Sequence, residues 1–176
     1  GNCLIDEWIK QKSGKKFDEG GLIGRSGKID KLILNQAIEN FKIDKYSQSL
    51  DVKDFDISFV RGLSLEDGCA TVTNFTGYLI AKGLEYLNNQ NEKIKFLVCG
   101  GGRKNNFLVN SINNNLSNKN KIILESIEKY SFDGDFIESQ AFGYLAIRSL
   151  LNLPISFPKT TGCNSPITGG KLVNNF

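Results

Sequence analysis

Histidine and methionine are absent from this chain, tryptophan occurs once and proline three times in 176 residues. Without histidine the commonest zinc ligand and the commonest acid–base side chain are gone, so Ser-His-Asp and Cys-His chemistry are closed to it. No apolar window of about 18 residues occurs, so no segment reads as a membrane-spanning helix. Asp6, Glu7 and Lys10 interrupt the first dozen residues, which do not read as a signal peptide. Charge of neither sign dominates: 22 Lys and Arg against 19 Asp and Glu leave a net charge of +3. With no basic run or basic-aromatic stripe, nucleic acid is not an expected partner. Cys3, Cys69, Cys99 and Cys163 form no Cys-x-x-Cys pair and have apolar or small neighbours. The expectation is four buried free thiols in a reducing cytoplasm. The missing methionine and the abrupt opening on Gly1-Asn2 suggest a fragment, although N-terminal processing leaves the same mark.

The hydrophobic content of 40% is enough for one ordinary domain. Its most informative stretch is IKFLVCGGGRKN, Ile94 to Asn105. A short apolar run bounded by glycine fits a buried strand of a parallel sheet. Gly100, Gly101 and Gly102 then let the backbone approach something that a Cβ would hold away. Crevices at the carboxyl ends of such strands bind ligands in open α/β sheets. A nucleotide is the expected occupant; the competing reading is a tight strand-to-helix turn with no ligand. A Gly-x-Gly-x-x-Gly fingerprint fails at Lys104 and Asn105. A P-loop fails as well, because Gly170-Lys171, Gly14-Lys15 and Gly27-Lys28 all lack the following hydroxyl.

Leu4, Ile5, Trp8 and Ile9 share one helical face over residues 2–13, with Asn2 placed to cap and Gly14 to stop the helix. Ser26 is placed to cap a second helix carrying Ile29, Leu32, Ile33 and Ala37. A polar stretch from Lys42 to Asp56 has no clear period. Ser64-Leu65-Glu66-Asp67 opens a third helix to about Leu87, about 35 Å long at 1.5 Å per residue. A helix near 105–116, a second strand at Ile122 to Leu124 and a last long helix from Asp135 follow. Phe142, Leu145, Ala146, Leu150 and Leu151 are expected to face inward there, with Pro154 and Pro158 ending the element. The alternation implies an α/β architecture, yet two strands seldom make a stable sheet unaided. More of the sheet is expected to lie before Gly1.

Several pieces together resemble the carboxyl-terminal half of the 1,6-anhydro-N-acetylmuramic acid kinases. They are Gly1-Asn2-Cys3-Leu4-Ile5-Asp6 with Trp8, Val98-Cys99-Gly100-Gly101-Gly102 with Asn105, Gly134-Asp135 with Glu138 and Ala141-Phe142, and Leu153-Pro154 with Pro158, Thr161 and Gly162. The resemblance implies the fold of the sugar-kinase, actin and heat-shock ATPase superfamily: a helix-rich part of a ribonuclease H-like lobe with few parallel strands. It implies ATP with Mg²⁺, phosphorylation of the sugar's 6-oxygen and opening of its 1,6-anhydro ring by water, in cytoplasmic peptidoglycan recycling. Family members are typically dimers, so a homodimer is implied too.

By resemblance, Gly1-Asn2 closes a loop whose aspartate is the general base. No catalytic residue is then expected within the chain, and an amino-terminal lobe is expected to be missing. Gly100, Gly101 and Gly102 are implied to form the nucleotide turn, with Asn105 ordering it or touching nucleotide; a helix N-cap is its structural alternative. Glu138 is implied to hydrogen-bond the sugar, although Asp135 and Glu138 also have capping-box spacing. Arg103-Lys104, Asn106, Tyr144 and Ser49-Leu50-Asp51 depart from the family pattern. Three functions compete: an enzyme part inactive alone with weak or no nucleotide binding, a non-catalytic nucleotide-binding or interaction module (in one version a split-gene half acting in trans), and a sugar kinase of the same superfamily with another acceptor hydroxyl.

Overall fold

The computed structural model describes residues 1–41, 52–88 and 92–173. Its principal elements are α1 (Cys3–Ser13), α2 (Leu22–Ser26), α3 (Lys31–Asn40), α4 (Leu65–Leu87), β1 (Ile94–Val98), α5 (Asn106–Asn115), β2 (Ile122–Ser126), α6 (Ile137–Leu150) and α7 (Pro158–Thr161). The architecture is a helix-rich α/β fold with one short parallel sheet.

α4 is the axis of the core. Ser64 caps it by accepting the Asp67 N–H at 3.1 Å, and Glu66 and Asp67 place negative charge at its N-terminus. The helix buries Cys69, Val72, Phe75 and Leu79 against α1, α3 and α5. From α1, Ile5, Trp8 and Ile9 are buried, as the periodicity predicts. The Trp8 ring lies against α4 where the chain carries Gly68; a Cβ there would stand 2.2 Å from Cζ2 of the indole. Its Nε1–H donates to the Leu65 carbonyl at 2.9 Å, so the polar atom buried with the ring is satisfied. Gly14 ends α1 in the left-handed region at φ 69°, whereas the Asn2 side chain makes no cap bond.

β1 and β2 pair in parallel, in register from Ile94 opposite Ile122 to Val98 opposite Ser126. The fully buried strand expected at 94–98 is half-buried instead: Lys95 and Leu97 are exposed. Among the described residues no layer covers that outer face.

Three further expectations are corrected. Asp30, not Ser26, caps α3, accepting the Leu32 and Ile33 N–H groups at 3.0 Å; Ser26 lies in the last turn of the short α2. α6 buries none of its residues, and Phe142, Leu150 and Leu151 face solvent. Its partners are local, since Arg148 donates to the Pro154 carbonyl at 2.7 Å and the Ser149 hydroxyl to Gly169. Of the thiols only Cys69 is buried; Cys3 and Cys99 are exposed and Cys163 half-buried. Of the polar stretch Lys42 to Asp56, residues 42–51, with Ser49-Leu50-Asp51, lie outside the described residues. Beyond them Val52–Asp54 forms one 3₁₀ turn, and Phe55 stacks on Phe41 with centroids 5.4 Å apart.

Candidate functional site: a glycine turn between two cavities

The chain leaves β1 through Cys99 into Gly100, whose φ of 74° and ψ of 179° suit glycine alone. Residues Gly101–Lys104 then make a 3₁₀ turn, and Asn105 starts α5. Asn105 is buried, and its Oδ1 accepts the Leu108 N–H at 2.9 Å. The structural alternative for this residue is therefore realised: it is the α5 N-cap, and it also borders a cavity.

Gly101 has a different environment. It is exposed, its backbone is not in the left-handed region, and a Cβ placed on it would meet nothing within 4 Å. No intramolecular contact or dihedral requires glycine there. Among the described residues, no protein acceptor pairs with the N–H of Gly101 or Gly102. The turn thus presents bare backbone and two available donors.

Gly101 lies where two cavities meet. One, of about 420 Å³, has apolar walls from Ile80, Leu84, Phe96, Leu108 and Leu124. The other, of about 530 Å³, is lined by Asn2, Asp6, Asp18, Glu19, Lys104 and Asn105. Among the described residues Asn2 Oδ1 is buried without a hydrogen-bond partner, and it would stand 3.7 Å from a Cβ on Gly102. Burial pushes the Asp6 carboxyl above its ordinary value, with Asp18 adding to that push. Asp18 is already engaged, accepting the N–H groups of Ile23 and Gly24 at 2.8 and 3.0 Å and the Cys69 thiol at 3.4 Å. Burial, with Asp18 beside it, pushes that thiol up to about 12, so Cys69 is no nucleophile.

Arg103 fastens the turn to the segment before α6. Its Nη1 donates to the Gly100 carbonyl at 2.8 Å and to Asp135 at 2.6 Å, and its Nε donates to Glu128 at 2.6 Å. Lys104 reaches the other Asp135 oxygen at 2.6 Å. Gly134 leaves room for this clasp, since a Cβ there would stand 2.5 Å from Arg103 Nε, and its carbonyl accepts the Gly100 N–H at 2.9 Å. The Asp135 carboxyl is held down to about 2 by Arg103 and then Lys104; Glu128 is likewise held to about 2, chiefly by the Ser126 hydroxyl and also by Arg103.

Gly100, Gly101, Gly102 and Asn105 are therefore brought together. Glu138 is not: it stands exposed in the first turn of α6 and lines neither cavity. The capping box at its position does not form: Phe136, not Asp135, takes the N-cap position of α6, and the Asp135 carboxylate pairs with Arg103 and Lys104 instead. Asp6 stands in one of the family-like pieces and Arg103 among the departures, but no pattern assigns a role to either, and Asp18 carries no sequence signal at all. Asp6 lies on a helix whose other face is the core, and Asp18 enters from the loop after α1. No group of three His, Cys, Asp or Glu side chains able to hold a metal occurs among the described residues. No helix among them is long and apolar enough to cross a membrane.

A profile of the anhydro-N-acetylmuramic acid kinases matches residues 1–175. The chain belongs to this family. The anhydro-N-acetylmuramic acid kinase of Pelagibacter ubique is 50% identical over 180 residues, covering 100% of this chain and 48% of the relative. The kinase of the same name from Zymomonas mobilis is 39% identical over 172 residues, 97% of this chain and 46% of the relative. That from Rhodospirillum rubrum is 36% identical, covering 97% and 44%. The chain thus spans about half the length of these kinases. The matches do not bear out its assignment to their carboxyl-terminal portion.

Proposed function

We propose that this chain is the nucleotide-binding part of an ATP-dependent kinase with a ribonuclease H-like lobe. In this reading the complete enzyme phosphorylates and hydrolytically opens 1,6-anhydro-N-acetylmuramic acid, giving N-acetylmuramic acid 6-phosphate in cytoplasmic peptidoglycan recycling. Family membership and the names of the relatives support the reaction. The nucleotide role is carried by Gly101: nothing inside the molecule needs a glycine there, yet a ligand spanning the two cavities would pass over it. An adenine ring suits the apolar cavity, and the Gly101 and Gly102 N–H groups suit phosphate or ribose oxygens at the approach to α5. The helix field adds about 0.3–1 kcal/mol per favourable charge there.

The second cavity is acidic, and phosphates entering it need a cation. The residues present do not form a metal nest of their own; they fit Mg²⁺ carried on nucleotide oxygens, with Asp6 and Glu19 as the cavity carboxylates placed to meet it. Such an ion offsets phosphate charge when bound. Phosphoryl transfer needs two substrates held across a closing cleft, so turnover belongs to an assembly containing the rest of the kinase. Glu138 is the proposed sugar contact in that assembly.

The test is an amide NMR titration of the chain alone with MgADP into the millimolar range. The Gly101 and Gly102 resonances shift, and G101V abolishes the shifts without altering thermal unfolding. Shifts confined to other residues, or identical in the variant, would remove the turn from the nucleotide site.

A further inference from the structure

We infer that Arg103 is a positioning residue of the glycine turn: its hold on the Gly100 carbonyl aims the Gly101 N–H at an incoming ligand oxygen. The Gly100 carbonyl and the Gly101 N–H belong to one planar peptide group and point in opposite directions. Whatever fixes the carbonyl therefore fixes the amide. The hold is needed because glycine at 100 leaves that peptide more freedom to turn than any other residue would. Two donors from residue 103 supply it, the backbone N–H at 3.3 Å and Nη1 at 2.8 Å. The first is the closing bond of the 3₁₀ turn, and any residue with a backbone N–H provides it. The second requires a long side chain that folds back over three residues.

Arg103 is itself held, because Nη1 also meets Asp135 and Nε meets Glu128, each at 2.6 Å. On the other side of Gly100, its N–H donates to the Gly134 carbonyl at 2.9 Å. Residues 128–135 thus grip Gly100 from both sides, once directly and once through the guanidinium. A clasp that only joined the turn to the segment before α6 would need the two carboxylates and no more. The bond to the Gly100 carbonyl adds something else, the direction of one peptide. The Gly101 N–H at its far end has no protein acceptor among the described residues, and Gly101 borders both cavities. A donor set in advance lowers the ordering cost of binding for a ligand that brings a phosphate or ribose oxygen. This inference rests on the nucleotide reading of the turn and deepens it. Every contact it uses lies within the chain.

The experiment compares the parent 176-residue chain with R103A, R103K and G68A by amide NMR. In the free parent the Gly101 amide has an order parameter of about 0.85, and in R103A it falls below about 0.6. R103K behaves as R103A, since one ammonium does not serve the carbonyl and both carboxylates together. Titrated with MgADP, R103A binds about tenfold more weakly, and at saturation the Gly101 shift is lost while the Gly102 shift remains. G68A, which strains the fold at the Trp8 ring, keeps the parent's order parameter, affinity and shifts. An unchanged Gly101 order parameter in R103A and R103K overturns the inference, whatever MgADP does. Undiminished MgADP affinity in R103A overturns it as well. So does a G68A variant that loses as much as R103A, because general stability would then be the cause. A parent whose Gly101 and Gly102 amides ignore MgADP removes the nucleotide reading instead, and the order parameters then decide alone for Arg103.

Discussion

Arg103 shows how one side chain ties the glycine turn to the segment leading into α6. Its guanidinium satisfies Gly100 O, Asp135 and Glu128 at once, and planar geometry allows that where a lysine does not. The two carboxylates are depressed from ordinary values of 3.8 and 4.5 to about 2. Groups lowered on folding stabilise the clasp fully above the unfolded values, and this is lost as pH falls from about 4 through about 2. Carboxyl carbon NMR should therefore show Asp135 and Glu128 titrating near 2, with exchange at the Gly100 amide accelerating over the same window. R103K should raise both transitions toward ordinary values. Asn105 illustrates a different point: the residue type at that spacing suits both a cap and a ligand contact, and only its Oδ1 bond to the Leu108 N–H shows that the cap is made.

At the level of elements, α4 succeeds because local and tertiary requirements coincide. Its cap and acidic first turn, and apolar positions such as Val72, Phe75 and Leu79, are all readable along the chain. The close approach of α1 is not readable, since it depends on Gly68 facing the Trp8 ring. G68A should clash with that ring and destabilise the chain by about 1–3 kcal/mol, measured by urea unfolding. α6 is the reverse case. Its apolar periodicity correctly gave a helix, yet a periodic face says only that something covers it. Here Phe142 and Leu150 remain exposed, and the inward orientation expected for them does not occur among the described residues. Ser26 failed as a cap for a similar reason: Asp30 is four residues on and is the side chain that reaches two α3 amides.

For the molecule as a whole, the described residues combine a two-stranded sheet, an exposed helix and a cavity open at the glycine turn, and the proposed function makes that one side of a cleft. Turnover of anhydro-N-acetylmuramic acid with ATP should be undetectable for the chain alone and appear on co-expression with the remaining half of the Pelagibacter ubique kinase. A coupled ADP-release assay checks this. Robust turnover by the chain alone would show that its own residues complete the chemistry.

Within 176 residues, periodicity and punctuation placed the longer helices and both strands, because 3.6-residue and two-residue repeats are local properties, but not the short α2 and α7 or the start of α3. The glycine run likewise announced a turn that no other residue would make so bare. What folding alone decided was who meets whom. Arg103 finds carboxylates 25 and 32 positions away, Asp6 and Asp18 share a cavity with Lys104, and Cys69 is sealed while Cys99 is open. Such meetings depend on how helices pack in three dimensions, and a one-dimensional pattern carries the faces of each element but not their partners.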